Sequence, residues 1–316
     1  MPIPTITYKM RLCDQQQPPK KRHGSTHLQH HINHQPSAKA SPIMDQIQIV
    51  SDLHLESPKG YDLYDIPAKA SYLALLGDIG NVVPHKDDLF DFLTRHLGRF
   101  KAVLFVPGNH EAYQATWKET LAVLHEFEDK IERDSSLGQF AVLDRGIFRP
   151  PGCDTVILGC SLFSHVPQES QMAVEIGLKD FFEIQDWTVA DHNEAHERDL
   201  AWLNAEVARL EDQGEGEGSA TNIVILTHWS PSRSRETTDP NHRGSRISSG
   251  FSTDLLGERC FASAKVKVWA FGHTHYNCDV EMERENGAGI LRLVANQRGY
   301  YSAQAEWFDA TKTIQL

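Results

Sequence analysis

The sequence predicts an α/β fold, and three observations carry that prediction. Short β-branched or apolar runs bounded by turn residues recur from residue 46 onward. Between several of them, apolar residues return at three- or four-residue steps, the period of a helix with one buried face. The chemically distinctive residues follow directly after those runs, as ligand-binding residues do at the carboxyl ends of strands in α/β sheets.

The strand runs, in chain order, are residues 46–50, 72–76, 101–106, 140–143, 155–158, 223–226 and 267–271. Each is too short for a helix and apolar enough to be buried. Helical periodicity links Leu89, Leu93 and Leu97, then Trp117, Leu121, Leu124 and Ile131, then Leu200, Leu203, Val207 and Leu210. Residues 290–294, 303–308 and 311–316 follow one another with no helix between them, which predicts an antiparallel addition to the sheet system. Residues 211–220, rich in Glu and Gly, read as an acidic, flexible connector.

Composition bounds the class. The chain has 316 residues, 40% hydrophobic and 23% charged, which is globular and long enough for a large core. No run approaches the roughly 18 uninterrupted apolar residues of a membrane span. The net charge of −12 argues against nucleic acid as a partner, since binding a phosphate backbone calls for a basic face. Cys13, Cys153, Cys160, Cys260 and Cys278 lack paired spacing, and the N-terminal residues lack the layout of a secretory signal. The reading is a reducing, cytoplasmic setting. A nuclear one is left open by Lys20-Lys21-Arg22.

Composition also shifts near Met44. Residues 1–45 are rich in His, Pro and Gln, show no apolar periodicity and carry a basic excess, and so read as a disordered leader. Residues 46–316 read as one domain, because the chemical motifs run from its first strand to near its last.

Five patches share the strand-end placement: Ser51-Asp52-Leu53-His54, Gly77-Asp78, Gly108-Asn109-His110-Glu111, Thr227-His228 and Gly272-His273-Thr274-His275. Members of the pairs Asp52/His54 and His273/His275 are two apart, so in an extended segment both point to the same side. Carboxylates, an amide and imidazoles without cysteine suit borderline-hard divalent ions such as manganese, iron or zinc. Seven or more such groups exceed the three protein ligands of one catalytic zinc, so two ions are implied. Two ions about 3.5–4 Å apart can hold a hydroxide between them for in-line attack on phosphorus.

This ordered pattern, Asp-x-His, Gly-Asp, Gly-Asn-His-Glu, His, Gly-His-x-His, resembles the calcineurin-like metallophosphoesterase superfamily from Asp52 to His275. The resemblance implies a four-layer α/β/β/α fold, two packed mixed sheets flanked by helices. It implies that Asp52, His54, Asp78 and His275 hold one metal and that Asp78, Asn109, His228 and His273 hold the other, with Asp78 as the bridge. His110 would stand beside the leaving group as proton donor or electrostatic stabiliser.

Departures narrow the function. The protein phosphatases of the superfamily carry two phosphate-clamping arginines that this chain lacks, Pro107 standing at one of their positions. A bidentate guanidinium fork is hard to replace with an apolar residue. Purple acid phosphatases place a metal-binding tyrosine where Asn81 stands, so a tyrosinate-bound ferric ion is not expected. In the protein-phosphatase pattern that position is an aspartate paired with the catalytic histidine, and a neutral Asn81 predicts a less basic His110.

On the substrate side, residues 230–250 form a long loop after His228, with Arg233, Arg235, Arg243 and Arg246 as candidates for receiving a substrate phosphate. Phe181, Phe182, Trp187 and Trp229 are candidates for stacking on a nucleobase or aryl group, with core packing the plainer alternative. The expected function is metal-dependent hydrolysis of a small-molecule phosphomonoester or phosphodiester. The rivals are a protein-phosphatase or nuclease-like member and a non-catalytic scaffold of the same fold.

Overall fold

A computed structural model describes residues 46–213, 222–284 and 287–316. The expected leader at residues 1–45 and most of the acidic connector lie outside them.

Two mixed sheets face each other. The first has the order β13-β1-β2-β3-β4, from β1 (Gln46–Val50), β2 (Tyr72–Leu75), β3 (Ala102–Phe105), β4 (Gln139–Val142) and β13 (Thr313–Gln315). Strands β1 to β4 are parallel, and β13 closes the edge antiparallel to β1. The second sheet has the order β5-β6-β7-β8-β10-β9, from β5 (Gly146–Phe148), β6 (Thr155–Cys160), β7 (Asn222–Thr227), β8 (Val266–Phe271), β9 (Cys278–Glu283) and β10 (Ile290–Ala295). Its centre is parallel and its two edges antiparallel. A short hairpin, β11 (Gly299–Tyr300) and β12 (Ala303–Gln304), follows β10.

Strand alternation explains how the layers stack. Ile47, Ile49, Ala74, Leu104 and Val106 of the first sheet meet Ile157, Val224, Leu226, Val268 and Ala270 of the second in one buried cluster. The alternate residues Leu73, Leu75, Val103 and Phe105 face α1 (Lys86–Leu97) and α2 (Trp117–Glu132), packing on Leu89, Phe92, Leu93, Leu124 and Phe127. Across the second sheet lie the short α3 (Gln171–Gly177) and α4 (Asp180–Glu183), the long α5 (Val189–Asp212) and α6 (Arg259–Ala262). Each fully buried aliphatic or aromatic side chain here contributes about 1.5–3 kcal/mol relative to exposure.

Three expectations need correction. The segment 303–308 pairs only at Ala303–Gln304, and β10 runs parallel to β8, so the antiparallel additions are the edge strand β9 and the distant β13. Strand β9 alternates exposed residues with half-buried ones and the buried Met282, and so lacks the apolar run that marks a central strand. In α5 the first half of the buried stripe carries His192, His196 and Asp199 beside Val189 and Ala195, while Leu200 is only half-buried. Asp199 accepts from the Leu162 amide at 2.9 Å and from Arg145 at 2.9 Å, and His196 Nδ1 donates to the Leu162 carbonyl at 2.9 Å. That polar stripe satisfies a loop in which Leu162 and Phe163 take left-handed backbone angles.

Among the described residues, no helix is long and apolar enough to cross a membrane. Cys153, Cys160, Cys260 and Cys278 are free thiols, and burial pushes Cys260 up to about 12.

Two buried histidines make the fold acid-sensitive. His96 Nδ1 donates to the Phe92 carbonyl at 2.8 Å and its Nε2 accepts from the Ile66 amide at 3.2 Å, which requires the neutral ring. Burial pushes His96 down to about 4 and His192 down to about 3. The folded state therefore binds fewer protons than the unfolded chain once the pH drops below the ordinary histidine value of 6.5. Stability is full above that pH and falls as pH drops toward 4, by on the order of 3 kcal/mol for His96. Urea unfolding across pH 7.5 to about 4.5 checks this. We expect His96→Gln to flatten the slope, and an unchanged slope would remove His96 from the account.

Candidate metal centre

Strands of both sheets end at one place. Asp52 and His54 follow β1, Asp78 follows β2, Asn109 and His110 follow β3, His228 follows β7, and His273 and His275 follow β8. The turns, rather than strand alternation, make these side chains converge. Asp52, His54, Asp78, His273 and His275 all have φ between 48° and 68°, in the left-handed region that non-glycine residues rarely enter. This corrects the extended-pair reading of Asp52/His54 and His273/His275.

Such conformations cost of order 1–3 kcal/mol each and persist only where surroundings over-determine them. Here Asp52 N donates to Gly77 O at 3.0 Å, His54 N to Asp78 O at 2.9 Å, and His273 N to Asp52 Oδ1 at 3.2 Å. Gly108 is required by close approach, since a Cβ there would lie 2.4 Å from Asp78 Oδ1. Gly77, at φ +85°, would put a Cβ 2.4 Å from His228 Nδ1.

Candidate ligand atoms gather in two groups joined by a third. Asp52, His54 and His275 form one and Asp78, His228 and His273 another, while His54, Asp78 and His110 form a third that shares a residue with each, the offered atoms of every group lying within 4.8 Å of one another. His54 Nε2 lies 2.9 Å from His275 Nε2, which in turn lies 3.2 Å from Asp52 Oδ1. In the second group His228 Nε2 is 3.3 Å from Asp78 Oδ1 and 3.1 Å from Asn109 Oδ1. Asp78 reaches both groups, its other oxygen standing 4.0 Å from His54 Nε2 and 3.9 Å from His110 Nε2. Both ring nitrogens of the buried His273 have no hydrogen-bond partner. Buried polar atoms are almost always paired, so this imidazole and its neighbours fit a divalent cation.

Charge is arranged to match. Burial works against the Asp78 carboxylate, but His228 and His110 hold it well below the ordinary range. Burial likewise opposes charge on His228, which the Asp78 carboxylate nonetheless pushes up to about 9.

Four neighbours fall outside the site residues expected from sequence. Glu56 lies two residues past His54, and its Oε1 is 2.9 Å from His110 Nδ1 and 3.2 Å from His54 Nδ1. It overturns the expectation of a less basic His110. Asn81 donates instead to the His110 backbone carbonyl at 2.7 Å. Burial opposes the imidazolium, yet the Asp78 charge and the Glu56 hydrogen bond push His110 up to about 9. The extension Asp-x-His-x-Glu was visible in the sequence and was the available signal.

Glu111 and Asp180 act on the ligand loops. The buried Glu111 carboxylate accepts from the amides of Asp78 at 2.8 Å, Ile79 at 2.8 Å, Gly80 at 3.3 Å and Gly108 at 2.6 Å. Asp180 Oδ1 accepts from Asn109 Nδ2 at 2.8 Å and from the Tyr113 hydroxyl at 2.8 Å, which turns the Asn109 amide oxygen toward His228. Tyr300, from the hairpin after β10, places its hydroxyl 3.3 Å from His110 Nε2. No sequence pattern connects Asp180 or Tyr300 with the motifs.

A cavity of about 380 Å³ opens beside the two groups, lined by Asp78, Asn109, His110, His273, His275 and Tyr300 on one side and by Thr237, Thr238, Ile247, Ser248 and Phe251 on the other. The long loop after His228 therefore walls the cavity, tied down by Trp229 Nε1 donating to the Gly250 carbonyl at 3.0 Å. Its arginines do not line the cavity. Arg233 donates to the Ser252 carbonyl at 2.9 and 2.7 Å, Arg243 donates to the Arg235 carbonyl at 2.9 Å, and Arg235, Arg243 and Arg246 are exposed. The aromatic candidates are also absent from the lining: Trp229 is fully buried against Phe163, Phe181 and Trp187 pack on the core, and Phe182 points outward.

Two substitutions test this arrangement. Glu111→Gln leaves an amide N–H₂ facing backbone donors, and we expect a loss of about 2–4 kcal/mol in chemical denaturation together with lower metal content. Wild-type stability in that variant would show that the clamp does not hold the loops. Glu56→Gln removes the charge beside His110, and in metal-free protein the imidazole's titration midpoint, followed by ring NMR, is expected to fall by about one pH unit or more. An unmoved midpoint would mean that Asp78 alone sets it.

The family profile for calcineurin-like phosphoesterases matches residues 46–277. Among curated proteins, the uncharacterized protein L509 of Acanthamoeba polyphaga mimivirus is 25% identical over 274 residues, 80% of this chain and 91% of its own length. Among solved structures, the phosphopantetheinyl hydrolase PptH of Mycobacterium tuberculosis aligns with a TM-score of 0.55 at 17% identity, over 81% of this chain and 90% of that one. A dimetal phosphatase from Danio rerio aligns with a TM-score of 0.43 at 15% identity, over 80% and 87% of the two chains. With a profile match across most of its length and two mixed sheets flanked by helices, this chain belongs to the calcineurin-like phosphoesterase family.

Proposed function

We propose that the protein is a dimetal phosphoesterase that hydrolyses a phosphomonoester or phosphodiester of a small molecule. The observation that carries this reading is Asp78, whose two carboxylate oxygens face different ligand groups, Oδ1 toward His228 at 3.3 Å and Oδ2 toward His54 at 4.0 Å. A carboxylate so placed can serve two ions at once.

In this reading Asp52, His54, Asp78 and His275 hold one divalent ion, and Asp78, Asn109, His228 and His273 hold the other, with manganese, iron or zinc matching the donors. When bound, the pair supplies Lewis-acid charge at the phosphoryl oxygens and the nucleophile for in-line displacement. Asp180 keeps the Asn109 oxygen turned inward. His110 lines the cavity with its Nδ1 fixed on Glu56, so Nε2 is the atom that donates to, or steadies, the departing oxygen. A cavity of about 380 Å³ admits a small molecule, and the acidic chain gives no general attraction to nucleic acid. The free thiols agree with a reducing, cytoplasmic setting.

The test is metal content of the purified protein, followed by hydrolysis of an aryl phosphomonoester and an aryl phosphodiester with manganese added back. We expect two ions per chain and turnover of at least one ester. Asp78→Asn and His228→Ala are expected to lower both metal stoichiometry and turnover, the latter by about 10³-fold or more, with the fold retained. Full activity with two ions in either variant would refute the ligand assignment, and a wild-type protein that neither binds metal nor turns over either ester would favour a scaffold.

A further inference from the structure

The segment after β10 lies beyond the family match to residue 277, yet it is bound to both ligand loops. Gln297 is fully buried, its Oε1 accepting from the His275 amide at 2.6 Å and its Nε2 donating to Thr274 Oγ1 at 3.0 Å. Arg298 N donates to Ser51 O at 3.0 Å, Gly299 N to Asp52 O at 3.0 Å, and Arg298 Nη1 to Leu53 O at 3.0 Å. The strap thereby fixes the next residue, Tyr300, whose partner in the hairpin is Ala303.

The Tyr300 ring stacks on His54 with centroids 4.1 Å apart and planes at 25°, and meets His275 edge-on at 5.0 Å. Its hydroxyl is 3.3 Å from His110 Nε2, and the residue lines the cavity while remaining 36% exposed. One face of the phenol is therefore spent on a ligand imidazole, and its polar end stands at the cavity mouth beside the nitrogen that the proposed function turns toward substrate.

Resting on that function, we propose that Tyr300 is a substrate-contacting residue whose O–H donates a hydrogen bond to an oxygen of the phosphoryl group. The stacking and the backbone strap hold the phenol in place before substrate arrives, so the bond forms without ordering a free side chain. A donor to a charged oxygen is worth roughly one to two orders of magnitude in binding or rate.

The experiment compares wild type, Tyr300→Phe and Tyr300→Ala in manganese-loaded protein, reading metal content, the dissociation constant for orthovanadate and kcat/KM on an aryl phosphomonoester. Tyr300→Phe keeps the ring on His54 and removes only the hydroxyl. We expect unchanged metal content, vanadate binding weaker by about 10-fold or more, and kcat/KM lower by about 10–100-fold. A Phe variant that binds vanadate and turns over as the wild type does would overturn the proposal. So would a silent Phe variant beside an Ala variant that loses metal, because the ring would then act only by packing on His54. If the wild type hydrolyses no ester, the phosphoesterase reading fails, while the vanadate comparison still decides whether the Tyr300 hydroxyl meets an oxyanion.

Discussion

Asp78 places a carboxylate with 2% exposure among His54, His110 and His228, and an uncompensated charge at that depth would cost several kcal/mol. Much of the surrounding structure serves that one group. The Glu111 carboxylate gathers the amides of the Asp78 loop and of Gly108, and Asp78 Oδ1 accepts the His110 amide at 2.9 Å. Glycines at 77 and 108 leave the room that a Cβ would occupy. At the end of its strand Asp78 itself takes a left-handed backbone angle.

The site is assembled between layers. Strands β1, β2 and β3 bring Asp52, His54, Asp78, Asn109 and His110 from the first sheet, while β7 and β8 bring His228, His273 and His275 from the second. The two sheets meet through an apolar cluster in which Val106, Leu226 and Ala270 lie near the strand ends that carry these side chains. Close-packed interiors transmit strain and resist displacement, which suits candidate ligand atoms held in groups of three within 4.8 Å of one another.

His110 shows how a local substitution is absorbed elsewhere. The sequence lacks a carboxylate at Asn81, and a strictly positional comparison predicts a weaker base. The fold supplies Glu56 from the β1 turn instead, at 2.9 Å from Nδ1, and frees Asn81 to hold the backbone of His110 at 2.7 Å. The loop after His228 shows the opposite outcome. Its position beside the cavity follows from the chain, but its arginines spend their guanidinium groups on carbonyls or on solvent, and threonine, serine and isoleucine face inward.

The sequence by itself determined the α/β class, the strand-end placement of Asp52, His54, Asp78, Asn109, His110, His228, His273 and His275, and the kind of ion such donors suit. It could do so because strand runs and ligand types are local properties, and each motif sits within a few residues of its strand. The two packed sheets were implied by the motif resemblance, and the structure has them. Only the tertiary structure decided that the motif side chains converge through left-handed turns and that Glu56, Glu111, Asp180 and Tyr300 stand around them. Those facts depend on contacts between residues far apart in the chain, such as Asn109 with Asp180 and His110 with Tyr300. No periodicity encodes such pairs, because what selects them is the need to satisfy a buried charge or amide once the sheets have closed over it.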